Sequence, residues 1–245
     1  MKIDPLYILP NLFTGASIYL GVLSIIFAFV GRFELACWMI LLSLVFDGLD
    51  GRVARLTGAT SQFGVEFDSL ADVIAFGVAP ALILFFYAGF SFGKFGVVVC
   101  GIYTVLGAVR LARFNVTTNQ NEPNMFIGLP IPSAAVFVIG WLLLGIKISD
   151  EYPQIFDAYK DLFFLSLMVG CLVVALLMVS NIRYPSFKKM NLRAFSFGKL
   201  LVFLLLVLAI FFMYPTYTIV ILMSLYVIFG PFRACYYIIK RKARG

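Results

Sequence analysis

Four aspartates, Asp47, Asp50, Asp68 and Asp72, stand in the stretch FDGLDGRVARLTGATSQFGVEFDSLAD, at the ends of two hydrophobic segments. An uncompensated charge costs roughly 2.5–3.5 kcal/mol at a bilayer centre and less towards the interface. Four carboxylates brought together also repel one another, so a cation must hold them. Asp47 and Asp50 are spaced i,i+3, and Asp68 and Asp72 i,i+4, so on helices each pair shares a face. Two such faces set together form an all-oxygen cage, suited to hard divalent cations such as Mg²⁺ or Mn²⁺. Arg52 and Arg55 alone cannot neutralise four buried carboxylates. The chain has no histidine, which excludes a histidine base or ligand and leaves carboxylates for acid–base work.

The elements that must position these residues are membrane helices. Of 245 residues 62% are hydrophobic and only 13% charged, which excludes an ordinary soluble domain. Mean hydropathy is +1.02. Cys37, Cys100, Cys171 and Cys235 are scattered through apolar segments and read as packing residues. The first apolar run reads as a retained span rather than a cleaved leader. Allowing about 20 residues per span, eight spans are predicted near 12–31, 33–56, 64–89, 93–113, 130–147, 161–181, 198–214 and 217–239.

With the amino terminus cytosolic, 15 of the 19 Lys and Arg fall inside and only Arg32, Lys94, Lys147 and Lys160 outside. That asymmetry predicts both termini, and the aspartates, on the cytosolic side of the plasma or inner membrane. The acidic stretch with Asp150, Glu151, Asp157 and Asp161 then becomes an outer loop. The net charge of +7 fits an anionic leaflet better than a nucleic acid. Lys188, Lys189 and Lys240 to Lys242 read as leaflet anchors, and Thr117 to Asn124 as a cytosolic loop. The expected fold is thus an all-α polytopic membrane protein with one catalytic domain. Spans over about 12–181 form its core, and about 182–245 adds two spans and a basic tail.

Written out, the motif is Asp47-x-x-Asp50-Gly51-x-x-Ala54-Arg55, eight residues, then Gly64-x-x-x-Asp68-x-x-x-Asp72. It resembles, position for position, the signature of the CDP-alcohol phosphotransferases. Breaking a pyrophosphate linkage loads charge on bridging and leaving oxygens, which carboxylate-bound metal ions neutralise. Gly51 lets a nucleotide approach the helix, Gly64 clears the face before Asp68, and Arg55 can grip a phosphate. By resemblance, Asp47, Asp50, Asp68 and Asp72 hold two divalent ions and Asp72 also takes the acceptor's proton. The same resemblance sets Gly51, Arg55 and Ser61 against the CDP moiety and implies a homodimer. Pro10-Asn11-Leu12-Phe13-Thr14, at the start of the first span, is similar to a family element that adds Asn11 and Thr14 to the nucleotide site. The plainer reading is a helix start with Asn11 as N-cap.

Arg110-Leu111-Ala112-Arg113-Phe114-Asn115 and Phe126-Ile127-Gly128-Leu129-Pro130-Ile131-Pro132-Ser133, with eight spans, look like the phosphatidylserine synthase branch. The resemblance implies CDP-diacylglycerol and L-serine as substrates. Arg110 and Arg113, at i,i+3, can offer a fork to the serine carboxylate, or can be ordinary interfacial anchors. Glycerol 3-phosphate, inositol phosphate, and serine with an archaeal ether lipid stay open as alternatives. A divalent-cation transporter is the reading from another class; mid-bilayer sites on repeats are its usual mark, and no internal repeat is visible here.

Overall fold

The computed structural model describes residues 8–59, 61–117, 125–185 and 197–242. Lys2, Lys188, Lys189, Arg193 and residues 118–124 of the expected cytosolic loop lie outside them.

The chain opens with two antiparallel helices, α1 (Ile8–Phe29) and α2 (Phe33–Thr57), joined through Gly31 at φ +80°. Their contact uses small polar residues. The Ser17 and Ser43 hydroxyls lie 2.8 Å apart and Ser43 donates to the Ser17 carbonyl at 3.1 Å, so the backbones approach closely. Gly58 ends α2 in a left-handed cap, φ +67°. Ser61 then caps the next helix by accepting the Gly64 N–H at 3.0 Å. That helix is one span in three pieces: α3 (Gln62–Asp72), a π turn (Val73–Val78) and α4 (Ala79–Tyr87).

The π turn starts immediately after Asp72, and its widened backbone is held from outside. Tyr103 donates to the Phe76 carbonyl at 3.0 Å and Thr104 approaches the Gly77 carbonyl at 3.5 Å. In lipid such carbonyls need a neighbour's donor. Both donors sit on α5 (Lys94–Thr117), which follows a short 3-10 turn at Gly89–Phe92. Gly21 of α1 lets that helix lie on the turn, because a Cβ there would stand 3.0 Å from the Ala75 Cα.

Next come α6 (Ile131–Glu151), α7 (Pro153–Val179), α8 (Phe197–Met213) and α9 (Pro215–Lys242). Only Tyr152 separates α6 from α7. The expected acidic outer loop is therefore a helix end running into a helix start, with Asp157 and Asp161 on α7. Pro153 at the first position restarts the helix at once. Two short strands also depart from the all-helical expectation: β1 (Met125–Ile127) pairs antiparallel with β2 (Arg183–Pro185), Phe126 opposite Tyr184. Gly128, at φ +78°, packs against the Met178 carbonyl where a Cβ would clash. α1 begins at Ile8, which places Asn11 inside the helix rather than at its cap.

The core runs through the centre of the bundle, from Cys37 and Ile40 through Phe76 and Ile83 to Ile139, Met168 and Cys171. Large apolar side chains such as Tyr19, Val105, Leu162, Leu208 and Phe232 cover the outside, as a protein in lipid requires. Among the described residues, 6 helices combine the length and apolarity to cross a membrane: α1, α3 to α4 as one, α5, α6, α7 and α9. α2 carries the charged motif, and α8, at 17 residues, spans roughly 26 Å at 1.5 Å per residue. The helices alternate in direction, so the turn at Arg32, the end of α4 at Tyr87 and the end of α6 at Asp150 gather at one end of the bundle.

Candidate active site

The aspartates gather at the other end. Asp47 and Asp50 project from the last turns of α2, and Asp68 from α3. Their carboxylate oxygens lie within 4.8 Å of one another. The two helices turn back on each other through Gly58 and the Ser61 cap, which sets the two motif halves face to face. Asp50 is the most enclosed, 5% exposed. Its Oδ2 accepts the Thr14 hydroxyl at 2.7 Å, and Oδ1 accepts the Gly51 N–H. Thr14 comes from α1, so a third helix orients this carboxylate.

Asp72 stands one turn beyond Asp68, outside that set of three but adjoining Asp47 and Asp68. It is half-buried, and its Oδ1 is enclosed with no hydrogen-bond partner among the described residues. Across from it is Arg110 on α5, only 7% exposed, whose Nε likewise has no partner. Its guanidinium lies over the Phe114 ring, 5.3 Å from the centroid.

Among the described residues no Lys or Arg nitrogen lies within 4.0 Å of the four aspartate carboxylates. Three like charges packed this closely, supplying only oxygen, are a donor set for a hard cation. The residues present thus fit a divalent metal ion, and the cluster can hold one.

Beside the trio is a cavity of about 200 Å³ lined by Pro10, Asn11, Thr14, Asp50, Gly51, Ala54, Arg55, Ala59, Ser61, Gly64, Val65 and Asp68. It brings together every residue the motif assigns to the nucleotide: Asn11, Thr14, Gly51, Arg55 and Ser61. A Cβ on Gly51 would meet only the Arg55 guanidinium, at 3.6 Å, so the glycine leaves room on the cavity side. At Gly64 a Cβ would press on the Ser61 hydroxyl at 3.2 Å and the Asn11 Oδ1 at 3.6 Å. There the glycine lets α1 and the Ser61 cap converge.

The two arginines of the RLARFN stretch have different surroundings. Arg110 turns into the bundle towards Asp72. Arg113 is exposed and donates to the Val179 carbonyl at 3.3 Å and to Asn181 Oδ1 at 2.7 Å, tying α5 to the end of α7. Asn115 donates to Ser69 at 2.9 Å and ties α5 to α3. Sequence reasoning missed Tyr184 and Tyr226, which approach this end from β2 and α9. No local pattern marks them, since their partners are distant in sequence.

The model of the CDP-alcohol phosphatidyltransferase family matches residues 7–156, more than half of the chain, and includes all four aspartates. The chain belongs to the CDP-alcohol phosphatidyltransferase family. It is 48% identical over 240 residues to a CDP-diacylglycerol–serine O-phosphatidyltransferase of Helicobacter pylori, covering 98% of this chain and 96% of that one. An archaetidylserine synthase of Methanothermobacter thermautotrophicus is 39% identical over 75% of this chain and 72% of its own. A CDP-diacylglycerol–serine O-phosphatidyltransferase of Methanocaldococcus jannaschii is 37% identical over 69% of this chain and 73% of its own. Membership, with the six apolar helices, makes the protein an integral membrane transferase of this family.

Proposed function

We propose that the protein transfers the phosphatidyl group of CDP-diacylglycerol to L-serine, forming phosphatidylserine and releasing CMP. The observation that carries this reading is the full-length likeness to the Helicobacter pylori serine transferase, joined to a carboxylate cage beside a cavity lined by Asn11, Thr14, Gly51, Arg55 and Ser61. In the transfer the serine hydroxyl oxygen bonds to the lipid-bearing phosphorus, the bond from that phosphorus to the CMP oxygen breaks, and the hydroxyl proton goes to Asp72.

Asp47, Asp50 and Asp68, with Asp72 at their edge, would hold two divalent ions, Mg²⁺ or Mn²⁺. Bound there, the ions supply Lewis-acid neutralisation of the diphosphate and the departing phosphate. The protein's own side chains do the rest. Thr14 keeps Asp50 turned to the cage. Asn11, Gly51, Arg55 and Ser61 hold the cytidine diphosphate, with Arg55 on phosphate. The reading of Asp72 as base is supported by its enclosed Oδ1, which has no hydrogen-bond partner among the described residues. Arg110 takes the serine carboxylate, and Arg113 closes the α5–α7 side of the same end.

We place the site on the cytosolic side, with eight spans including α2 and α8, both termini inside, a catalytic core of about 12–181 and a homodimeric assembly. The asymmetric distribution of Lys and Arg supports the orientation. The archaetidylserine synthase relative favours serine as acceptor while leaving the lipid's linkage chemistry open. Purified protein in lipid nanodiscs, given CDP-diacylglycerol, Mn²⁺ or Mg²⁺ and a panel of labelled acceptors, tests the reading. Serine is expected to be used at least ~100-fold better than glycerol 3-phosphate or inositol phosphate, because a buried charged site rejects an acceptor whose charge it does not pair. Preferential use of either phosphate-bearing acceptor would replace serine in the proposal.

A further inference from the structure

The span that carries Asp68 and Asp72 is tied to α5 on both sides of Asp72. Before it, the Asn115 amide donates to the Ser69 hydroxyl at 2.9 Å. After it, the Tyr103 hydroxyl donates to the Phe76 carbonyl at 3.0 Å. Ser69 directs its own hydrogen to the Val65 carbonyl at 3.1 Å. Its oxygen is thus an acceptor towards α5, and the Asn115 side chain must present its NH₂ there. α5 is in turn fixed to the end of α7 by Arg113, through the Val179 carbonyl and Asn181.

The two ties set a register. Ser69 stands beside Asn115 and Phe76 beside Tyr103, so the helices run in opposite directions and what lies between the ties on one is level with what lies between them on the other. Asp72 falls between them on the first helix and Arg110 on the second, each a little short of the midpoint from the Ser69–Asn115 tie. Arg110 is 7% exposed with an unpartnered Nε, and the Asp72 Oδ1 is enclosed and unpartnered too. Enclosed opposite charges at one level attract strongly. Yet among the described residues no Arg nitrogen lies within 4.0 Å of the Asp72 carboxylate, so the scaffold must keep the two apart. The Phe114 ring holds the guanidinium, 5.3 Å from its centroid. Ser69, one turn before Asp72 on α3, holds the carboxylate's helix at the distance the Asn115 side chain sets. Two such groups, kept from pairing, suit a ligand that presents an anion to one and a hydroxyl proton to the other. An amino acid with a side-chain hydroxyl does both.

We propose that Asn115 is a positioning residue for the acceptor: through Ser69 it spaces α3 from α5, so that Asp72 and Arg110 meet across the serine and not each other. The proposal rests on the serine-transfer reading above and adds to it a residue that acts through another. Without the tie, α3 settles towards α5 and Asp72 pairs with Arg110. The serine carboxylate must then displace a carboxylate of the protein itself before it can bind.

Steady-state kinetics of Ser69→Ala and Asn115→Ala in nanodiscs, varying serine and CDP-diacylglycerol separately, test it. Each removes the one hydrogen bond, which predicts a serine KM raised about 5-fold, with kcat within about 2-fold and the KM for CDP-diacylglycerol unchanged. The double variant should be no worse than either single one, because both lose the same bond. Ser69→Thr, which keeps the hydroxyl, should restore the wild-type serine KM. An unchanged serine KM in either alanine variant overturns the proposal, as do effects that multiply in the double variant or a Ser69→Thr as impaired as Ser69→Ala. A fall in kcat with both KM values raised together also overturns it, since general loosening of the bundle produces that pattern. Wild-type protein that makes no phosphatidylserine overturns the serine reading itself, and this proposal with it, before any variant is compared.

Discussion

At the residue scale, the site turns on how a cluster of like charges is tolerated. Asp50 is the most enclosed carboxylate and also the best supported, by Thr14 and the Gly51 N–H. Groups that orient a ligand typically change metal affinity 10–100-fold when removed. Thr14→Val should therefore weaken Mn²⁺ binding by about 10-fold, read by isothermal titration of protein in nanodiscs; unchanged affinity would detach Thr14 from the cage. Arg55 is exposed at the cavity rim, where a phosphate contact is shared with water. Arg55→Ala should raise KM for CDP-diacylglycerol about 10-fold with a smaller effect on kcat, and an effect confined to serine KM would move Arg55 to the other substrate. The aspartates were legible in the sequence because their spacing and their cost in an apolar chain are local facts. The different surroundings of Arg110 and Arg113 were not. Both lie on one helix at i,i+3, and what separates them is Asn181, reached only through the fold.

At the scale of elements, the spans follow from hydropathy, and what hydropathy cannot see is their internal irregularity. The π turn after Asp72 leaves no mark in the sequence, since Val73 to Val78 read as any apolar helix. It depends on donors about 27 residues away, Tyr103 and Thr104. Hydrogen bonds of this kind between membrane helices average about 0.6 kcal/mol and reach about 1.7 kcal/mol. Tyr103 is fully buried, so Tyr103→Phe should cost about 1 kcal/mol and lower Tm by about 2–4 °C, measured by thermal unfolding in detergent. No shift would mean the turn holds itself. Gly21→Val should act more severely, because a Cβ there already approaches the Ala75 backbone at 3.0 Å. It would lift α1, and Asn11 and Thr14 with it, from the cage. The acidic run from Asp150 to Asp161 misleads for a related reason. Charge suggests a loop, but Pro153 starts a new helix one residue after the last ends.

At the scale of the whole molecule, charge is sorted by end. The aspartate cage, Arg110, Arg113 and β2 stand together, while Arg32, Glu34, Tyr87 and Asp150 stand at the opposite end. A carboxyl-terminal tag in sealed right-side-out vesicles should resist external protease until the vesicles are opened, and digestion of sealed vesicles would reverse the proposed orientation. The catalytic end was legible because one motif of 26 residues carries it. The seating of β2 on α9 was not, since Tyr184 reaches the Val227 carbonyl from 43 residues away. The central claim is that the carboxylate cage transfers a phosphatidyl group with Asp72 as the proton acceptor. Its most direct test is to follow CMP and phosphatidylserine together, from CDP-diacylglycerol and serine, in wild type and Asp72→Asn. Wild type should release the two products one for one, and Asp72→Asn should release neither while still binding CDP-diacylglycerol. Turnover by Asp72→Asn near the wild-type rate would contradict it.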